Sequence, residues 1–224
     1  MTPNHSRRSV RVNRTQYQTL LLAAFIAAAS ASLIGAPYPR EQLLQHGPTC
    51  LGLISLVVVT RLLVLSSLSY TLVIGFLSLH VLGARYIYTY VPYDQWSSSL
   101  FDVTISDLCG FSRNHYDRLV HFAFGVLITI PLCEVVLRLA RPPLWFGYVL
   151  AISLNMAGSL LYELGEAGLA LLFAPDWAER YLGQQGDLWD AHRDMGIATA
   201  GAVIAVACME VARRLRRARQ GRAA

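Results

Sequence analysis

Six apolar runs, each near the length that crosses a lipid bilayer, govern what this chain can fold into. They cover residues 20–35, 43–60, 68–84, 119–139, 145–173 and 195–211. About twenty apolar residues in helical form reach across a hydrocarbon core of about 30 Å, and backbone polar groups at that depth must be satisfied within their own segment. Each run is therefore expected to be a helix. Composition agrees, with 54% of the 224 residues hydrophobic and only 15% charged, and a mean hydropathy of +0.42. The expected class is all-α, a polytopic membrane protein built as a bundle of six transmembrane helices. One membrane unit, 17–212, lies between basic tails at 1–16 and 213–224. The first run could also be read as a signal peptide; its spanning length and the Pro37 that follows Ala36 favour the helix. The second is expected to be entered through Gly47-Pro48, since proline is tolerated near a helix start. Ser66-Ser67 offers caps for the third. The connection 85–118 is read as a polar loop whose Tyr86, Tyr88, Tyr90, Tyr93 and Trp96 mark an interfacial belt.

Charge distribution sets the orientation. Thirteen of the nineteen basic residues, all of them arginine, fall on one side of a six-span map: the N-terminal cluster, Arg61, Arg138, Arg141 and the C-terminal cluster. The positive-inside rule then makes both termini cytoplasmic. The basic tail reads as an orientation signal that touches anionic lipid, and no nucleic-acid partner is indicated. The four cysteines form no CxxC pair, so neither a disulfide framework nor a thiolate metal site is indicated.

That orientation puts several ionisable groups at one outward depth. His80, His121, Glu163, Glu166, Asp190 and Asp194 come from four different spans. Asp117 and His121 are four apart, Glu163 and Glu166 three apart, and Asp187, Asp190 and Asp194 three and seven apart, so each set shares a helix face. Ionisable groups inside a membrane are costly, which makes function the default reading. Bland alternatives exist. Asp190 and Asp194 suit a helix first turn, His80 suits an interior hydrogen bond, and Asp117 could pair with Arg113 or Arg118. Glu163 and Glu166 resist this, because two carboxylates one turn apart require protonation, a metal or a cation.

An ordered set of motifs resembles the YjdF-type bacterial inner-membrane proteins. It runs from His80, Gly83, Tyr86-x-Tyr88 and Val91-Pro92-Tyr93-Asp94 through residues 110–122 and Tyr162-Glu163-x-x-Glu166. It ends in Gly183-x-Gln185-Gly186-Asp187-x-Trp189-Asp190-Ala191-x-x-Asp194-Met195. The resemblance covers roughly residues 20–212 and implies a multi-pass protein of the inner membrane, of a family with no assigned function. A looser likeness links Asp117-Arg118-x-x-His121-Phe122, Glu163 and the late aspartates to VanZ-like membrane proteins. The chain departs from the first pattern at Ala167, where Trp is usual, and at His192-Arg193, where Gln-Lys is frequent.

Three functions fit these residues: an enzyme acting on a lipid-linked envelope substrate, a protein that binds such a ligand without chemistry, and a proton-coupled transporter. The enzyme reading assigns catalysis to His121, Glu163, Glu166, Asp190 and Asp194. Ligand binding falls to His80, Tyr86, Tyr88, Arg113, Asn114, Asp117, Arg118 and Asp187. The expected partners are membrane lipid and an anionic or lipid-linked envelope ligand; no cofactor is specified. His and carboxylate groups arriving from separate helices would suit a divalent cation such as Zn²⁺ or Mn²⁺. Glu-x-x-Glu, however, lacks the Glu-x-x-His of di-iron bundles, and a site rich in Arg and Tyr is better suited to an anionic headgroup, so the favoured arrangement is metal-free. In it a protonated Glu163 or Glu166 hydrogen-bonds His121, Arg118 neutralises Asp117, and Arg113 is left for a phosphate.

Overall fold

The computed structural model describes residues 13–172, 181 and 183–221. Arg7, Arg8, Arg11, Arg180 and Arg222, which the charge argument used, lie outside the described residues. Eight helices are seen among those described. They are α1 (Arg14–Ser32), α2 (Pro39–Leu63), α3 (Ser67–Arg85), α4 (Tyr93–Phe101), α5 (Ile105–Cys109), α6 (Tyr116–Leu139), α7 (Leu144–Ala170) and α8 (Asp190–Gly221). Five of them, α2, α3, α6, α7 and α8, are long and apolar enough to cross a membrane; α1, at 19 residues, is not among the five.

Helix ends follow local chemistry. Asn13 and Gln16 form a reciprocal capping box at the start of α1. Ser66 caps α3 as expected, and Glu134 of α6 reinforces that cap by accepting from the Ser66 N–H at 2.8 Å and the Ser66 hydroxyl at 2.6 Å. Arg85 donates to the carbonyls of Ser32, Ile34 and Gly35, closing the exposed end of α1. Arg138 does the same for Leu63 and Val64 at the end of α2.

Two expectations are corrected here. Pro48 does not open α2: Pro39 takes the first turn, and Pro48 lies inside the helix, where it lacks the N–H that would reach the Leu44 carbonyl. The connection 85–118 is not plain loop, because α4 and α5 occupy much of it. Nine and five residues are too few to show a periodicity in sequence, and Asp94 ties the pair by accepting from the Ser106 N–H at 2.9 Å and its hydroxyl at 2.6 Å.

Helix α6 is the centre of the bundle, packing against α3, α7 and α8. Its tightest contact is with α8, through small residues. A Cβ on Gly125 would stand 2.0 Å from the Ala198 carbonyl oxygen, and one on Gly201 would stand 2.6 Å from that of Phe122. Ala198 and Ala202 beside them are fully buried. Without a hydrophobic force between helices in lipid, this close approach of backbones is what packing has to offer. Gly125→Ala is accordingly expected to destabilise the detergent-solubilised protein by about 1–3 kcal/mol, because the obstacle is backbone and not a movable side chain. Gly75→Ala, where a Cβ meets nothing within 4 Å, should leave it nearly unchanged; equal thermal-melt shifts for the two would refute the account.

Candidate functional site

One turn beyond the Gly125–Ala198 contact, α6 and α8 present His121 and Asp194 to each other. One turn further stand Asp117 and Asp190. Donor atoms of Asp117, His121 and Asp194 all lie within 4.8 Å of one another. His121 Nε2 is 3.6 Å from Asp117 Oδ1 and 3.2 Å from Glu163 Oε1, the latter reaching in from α7. His121 and Asp194 are buried, Asp194 to 1% exposure. Neither Asp194 Oδ1 nor Glu163 Oε1 has a hydrogen-bond partner among the described residues. The 3.2 Å approach of Glu163 to His121 is therefore not the hydrogen bond the metal-free arrangement calls for.

His80 belongs to a neighbouring network and is fully used. A carbonyl can only accept, so His80 Nε2 donates to Gln45 O at 2.9 Å, and its Nδ1 accepts from the Tyr88 hydroxyl. Tyr162 donates to Gln45 Oε1 at 3.0 Å, and Glu166 lies within hydrogen-bonding reach of Tyr162 and Gln45. Tyr88 reaches this place through an unusual turn. Ile87 and Tyr88 both take left-handed backbone, at φ 44° and 54°, which costs about 1–3 kcal/mol each for non-glycine residues. Gly83 leaves the room, since a Cβ there would stand 2.6 Å from the Tyr88 ring. Tyr86 turns elsewhere, with its ring edge-on to Trp96.

Below these two networks runs a cavity of about 330 Å³ between α2, α3, α6 and α7. Its lining is apolar apart from the hydroxyls of Ser55 and Ser159 and, at one end, Asp117, His121, His80, Tyr88 and Tyr162. Along α6 it extends from Asp117 to Val135, about 27 Å at 1.5 Å per residue.

The arginines correct the sequence reading. Arg118 makes no ion pair with Asp117: neighbours in a helix point about 100° apart, and its guanidinium goes instead to Asp187 at 2.7 Å and Asp190 at 3.5 Å. Arg113 is not free either, because it is held by Asp190 and the Gln184 carbonyl. Each keeps one spare donor, the Nε–H, without a partner among the described residues. His115 steadies the group, donating from Nδ1 to Arg113 O at 2.8 Å and accepting Arg118 at Nε2 at 3.0 Å. Asn114 and Gln185 exchange two hydrogen bonds of 3.1 Å, pinning the segment before α8 to the segment before α6. Asn114 also reaches Val91 O at 2.9 Å and accepts the Tyr116 N–H at 3.0 Å. Its part is to fix the loop.

The sequence reading passed over Gln42, Gln45 and Thr49, all fully buried on α2. Their spacing of three and four residues inside an apolar run was the available signal, a polar stripe along one face. Tyr162 and His115 were likewise visible only as members of longer motifs.

Helices of spanning length around a buried acid–histidine cluster define a polytopic helical membrane protein. Residues 17–215 match the family described as predicted membrane protein (DUF2238), and the chain belongs to that family. It is similar to the inner membrane protein YjdF of Escherichia coli (strain K12), 32% identical over 144 residues, which cover 63% of this chain and 64% of that protein. The chain thus spans slightly less than two thirds of that relative's length. No solved structure matches the chain. Five apolar helices, the family and the relative together make this a multi-pass protein of the inner membrane.

Asp187 lies outside the spanning helices and carries a pH dependence. Partial desolvation pushes its carboxyl up, but the Trp189 N–H and the guanidinium groups of Arg193, Arg113 and Arg118 outweigh this and hold it below the ordinary carboxylate value. A carboxyl depressed in the folded state stabilises above its unfolded pKa, and that stabilisation is lost as pH falls through the folded value. Thermal stability should therefore drop below about pH 4, and Asp187→Asn should flatten that acid limb while lowering stability at neutral pH. A variant with an unchanged acid limb would contradict the assignment.

Proposed function

We propose that this protein binds an amphiphile of the inner membrane, with the apolar chain in the α2–α3–α6–α7 cavity and the polar end at the acid–histidine cluster. The observation that carries this reading is the shape of the cavity, which is long, apolar and ionisable at one end only. Its volume falls within the usual range for small-molecule sites, about 300–1,000 Å³. The Nε–H groups of Arg113 and Arg118, without a partner among the described residues, are donors of the kind that suits an anionic or lipid-linked envelope ligand. His121, with Glu163 and Asp194 in reach, is the group that would move a proton if the ligand is transformed and not merely held.

The topology we infer has six spanning helices with both termini cytoplasmic, which puts the cluster at the outer leaflet. Support for counting α1 comes from its 19 residues, about 28 Å of helix, and from its packing against α3. Support for the orientation comes from the arginine asymmetry. Reporter fusions after Ser98 and after Gln184 should both read extracytoplasmic; a cytoplasmic signal at either reverses the map.

Native mass spectrometry of the purified chain tests the ligand. A co-purifying lipid is expected, and Ser159→Phe, which fills the cavity from α7 at a site where the hydroxyl has no partner among the described residues, should remove it. No bound lipid, or lipid retained equally by the filled variant, would refute this reading.

A further inference from the structure

We infer that Asp117, His121, Glu163 and Asp194 form a binding site for one divalent transition-metal cation. Asp117 and His121 of α6 and Asp194 of α8 offer ligand atoms that all lie within 4.8 Å of one another, and Glu163 approaches His121 from α7. Donor atoms bound to a common tetrahedral ion at about 2.0–2.1 Å stand about 3.4 Å apart, and those in adjacent octahedral positions about 3.0 Å. The separations from His121 Nε2, 3.6 Å to Asp117 and 3.2 Å to Glu163, match that spacing. Asp194 completes with Asp117 and His121 a set whose atoms fit within 4.8 Å, which a modest inward movement, with Glu163 swinging in as the fourth ligand, closes onto an ion.

The second observation is independent of the spacing. Asp194 is 1% exposed, one of its carboxylate oxygens lies within 4.8 Å of ligand atoms of Asp117 and His121, and its Oδ1, like Glu163 Oε1, has no hydrogen-bond partner among the described residues. Buried carboxylate oxygens are almost always satisfied, and here two in one place are not. The cations nearest in sequence supply these oxygens with no hydrogen bond or ion pair, because Arg113 and Arg118 are bonded to Asp187 and Asp190. A divalent ion accepts these lone pairs and reduces the charge of three carboxylates from −3 to −1 in a setting with little water. One imidazole among carboxylates suits Mn²⁺ or Zn²⁺ better than Mg²⁺ or Ca²⁺, which prefer oxygen alone.

The site does not depend on a lipid in the cavity, and the experiment separates the two. The full chain is purified in detergent without chelator, its metal content is measured by mass spectrometry, and chelator-stripped protein is titrated with Mn²⁺ and with Zn²⁺. About one equivalent per chain is expected, as suits a single closed ligand set, with a rise in melting temperature that chelator reverses. Asp194→Asn and His121→Gln should weaken binding by about tenfold or more, while Asp102→Asn, an exposed loop carboxylate, should not. Should the ligand variants fail to fold, wild-type Mn²⁺ spectroscopy decides instead, through nitrogen hyperfine coupling from the single imidazole. Metal-free protein whose stripped form shows no saturable binding overturns the inference, as does binding undiminished in both ligand variants or without nitrogen coupling. Lipid retained by a chain that binds no metal overturns this inference alone, and metal bound without lipid overturns the amphiphile reading alone.

Discussion

The contact between α6 and α8 sets the register on which everything at the polar end depends. Gly125 lies against the Ala198 carbonyl at a distance no side chain would permit. Stepping one helical turn along each strand of that contact brings His121 to Asp194, and another turn brings Asp117 to Asp190. The ionisable groups thus meet at the spacing the small residues dictate. Had α6 and α8 been held apart by leucines at the usual 8–10 Å between axes, the same side chains would have faced one another across a gap that water or lipid would fill.

Elsewhere the bundle satisfies its charges. Glu134 takes the Ser66 and Ser69 hydroxyls and the Ser66 N–H and pairs with Arg138 at its open side. Glu210 is held by Arg213 and Arg214. Asp187 and Asp190 share three arginines. Against this practice, the unpartnered oxygens of Asp194 and Glu163 stand out as a deliberate local exception, and they sit where the cavity ends. Strain gathers in the same region, in the left-handed Ile87-Tyr88 turn that swings a phenol back onto His80.

How much of this could be read from the sequence follows the kind of information each residue carries. Apolar run length reports the solvent, so the runs 68–84 and 119–139 fall within one to three residues of α3 and α6. The i,i+4 spacing of Asp117 and His121 reports a shared face, and the two side chains do meet. Partner choice between helices reports register, which spacing within one helix does not contain. That is why sequence spacing pairs Arg118 with the aspartate next to it, whereas in the structure it is found on Asp187, 69 residues away. Pro48 differs from its expected place for another reason: a helix that begins in the polar stretch at Pro39 shows no hydropathy edge there. His80 is the instructive middle case. Its bland reading, an interior histidine with both nitrogens engaged, describes it, and the group that engages it lies on a turn no periodicity could have indicated.

The pairing of α6 with α8 also has a consequence for biosynthesis. A chain made from its N-terminus delivers α6 to the bilayer before α8 exists, with α7 still to come. Through that interval Asp117 and His121 face the membrane without Glu163 and then without Asp194, and Gly125 of α6 has no backbone to rest against. The nascent bundle must therefore shelter a half-built polar pocket until α8 arrives, and the insertion of α8 seals both the packing and the site at once.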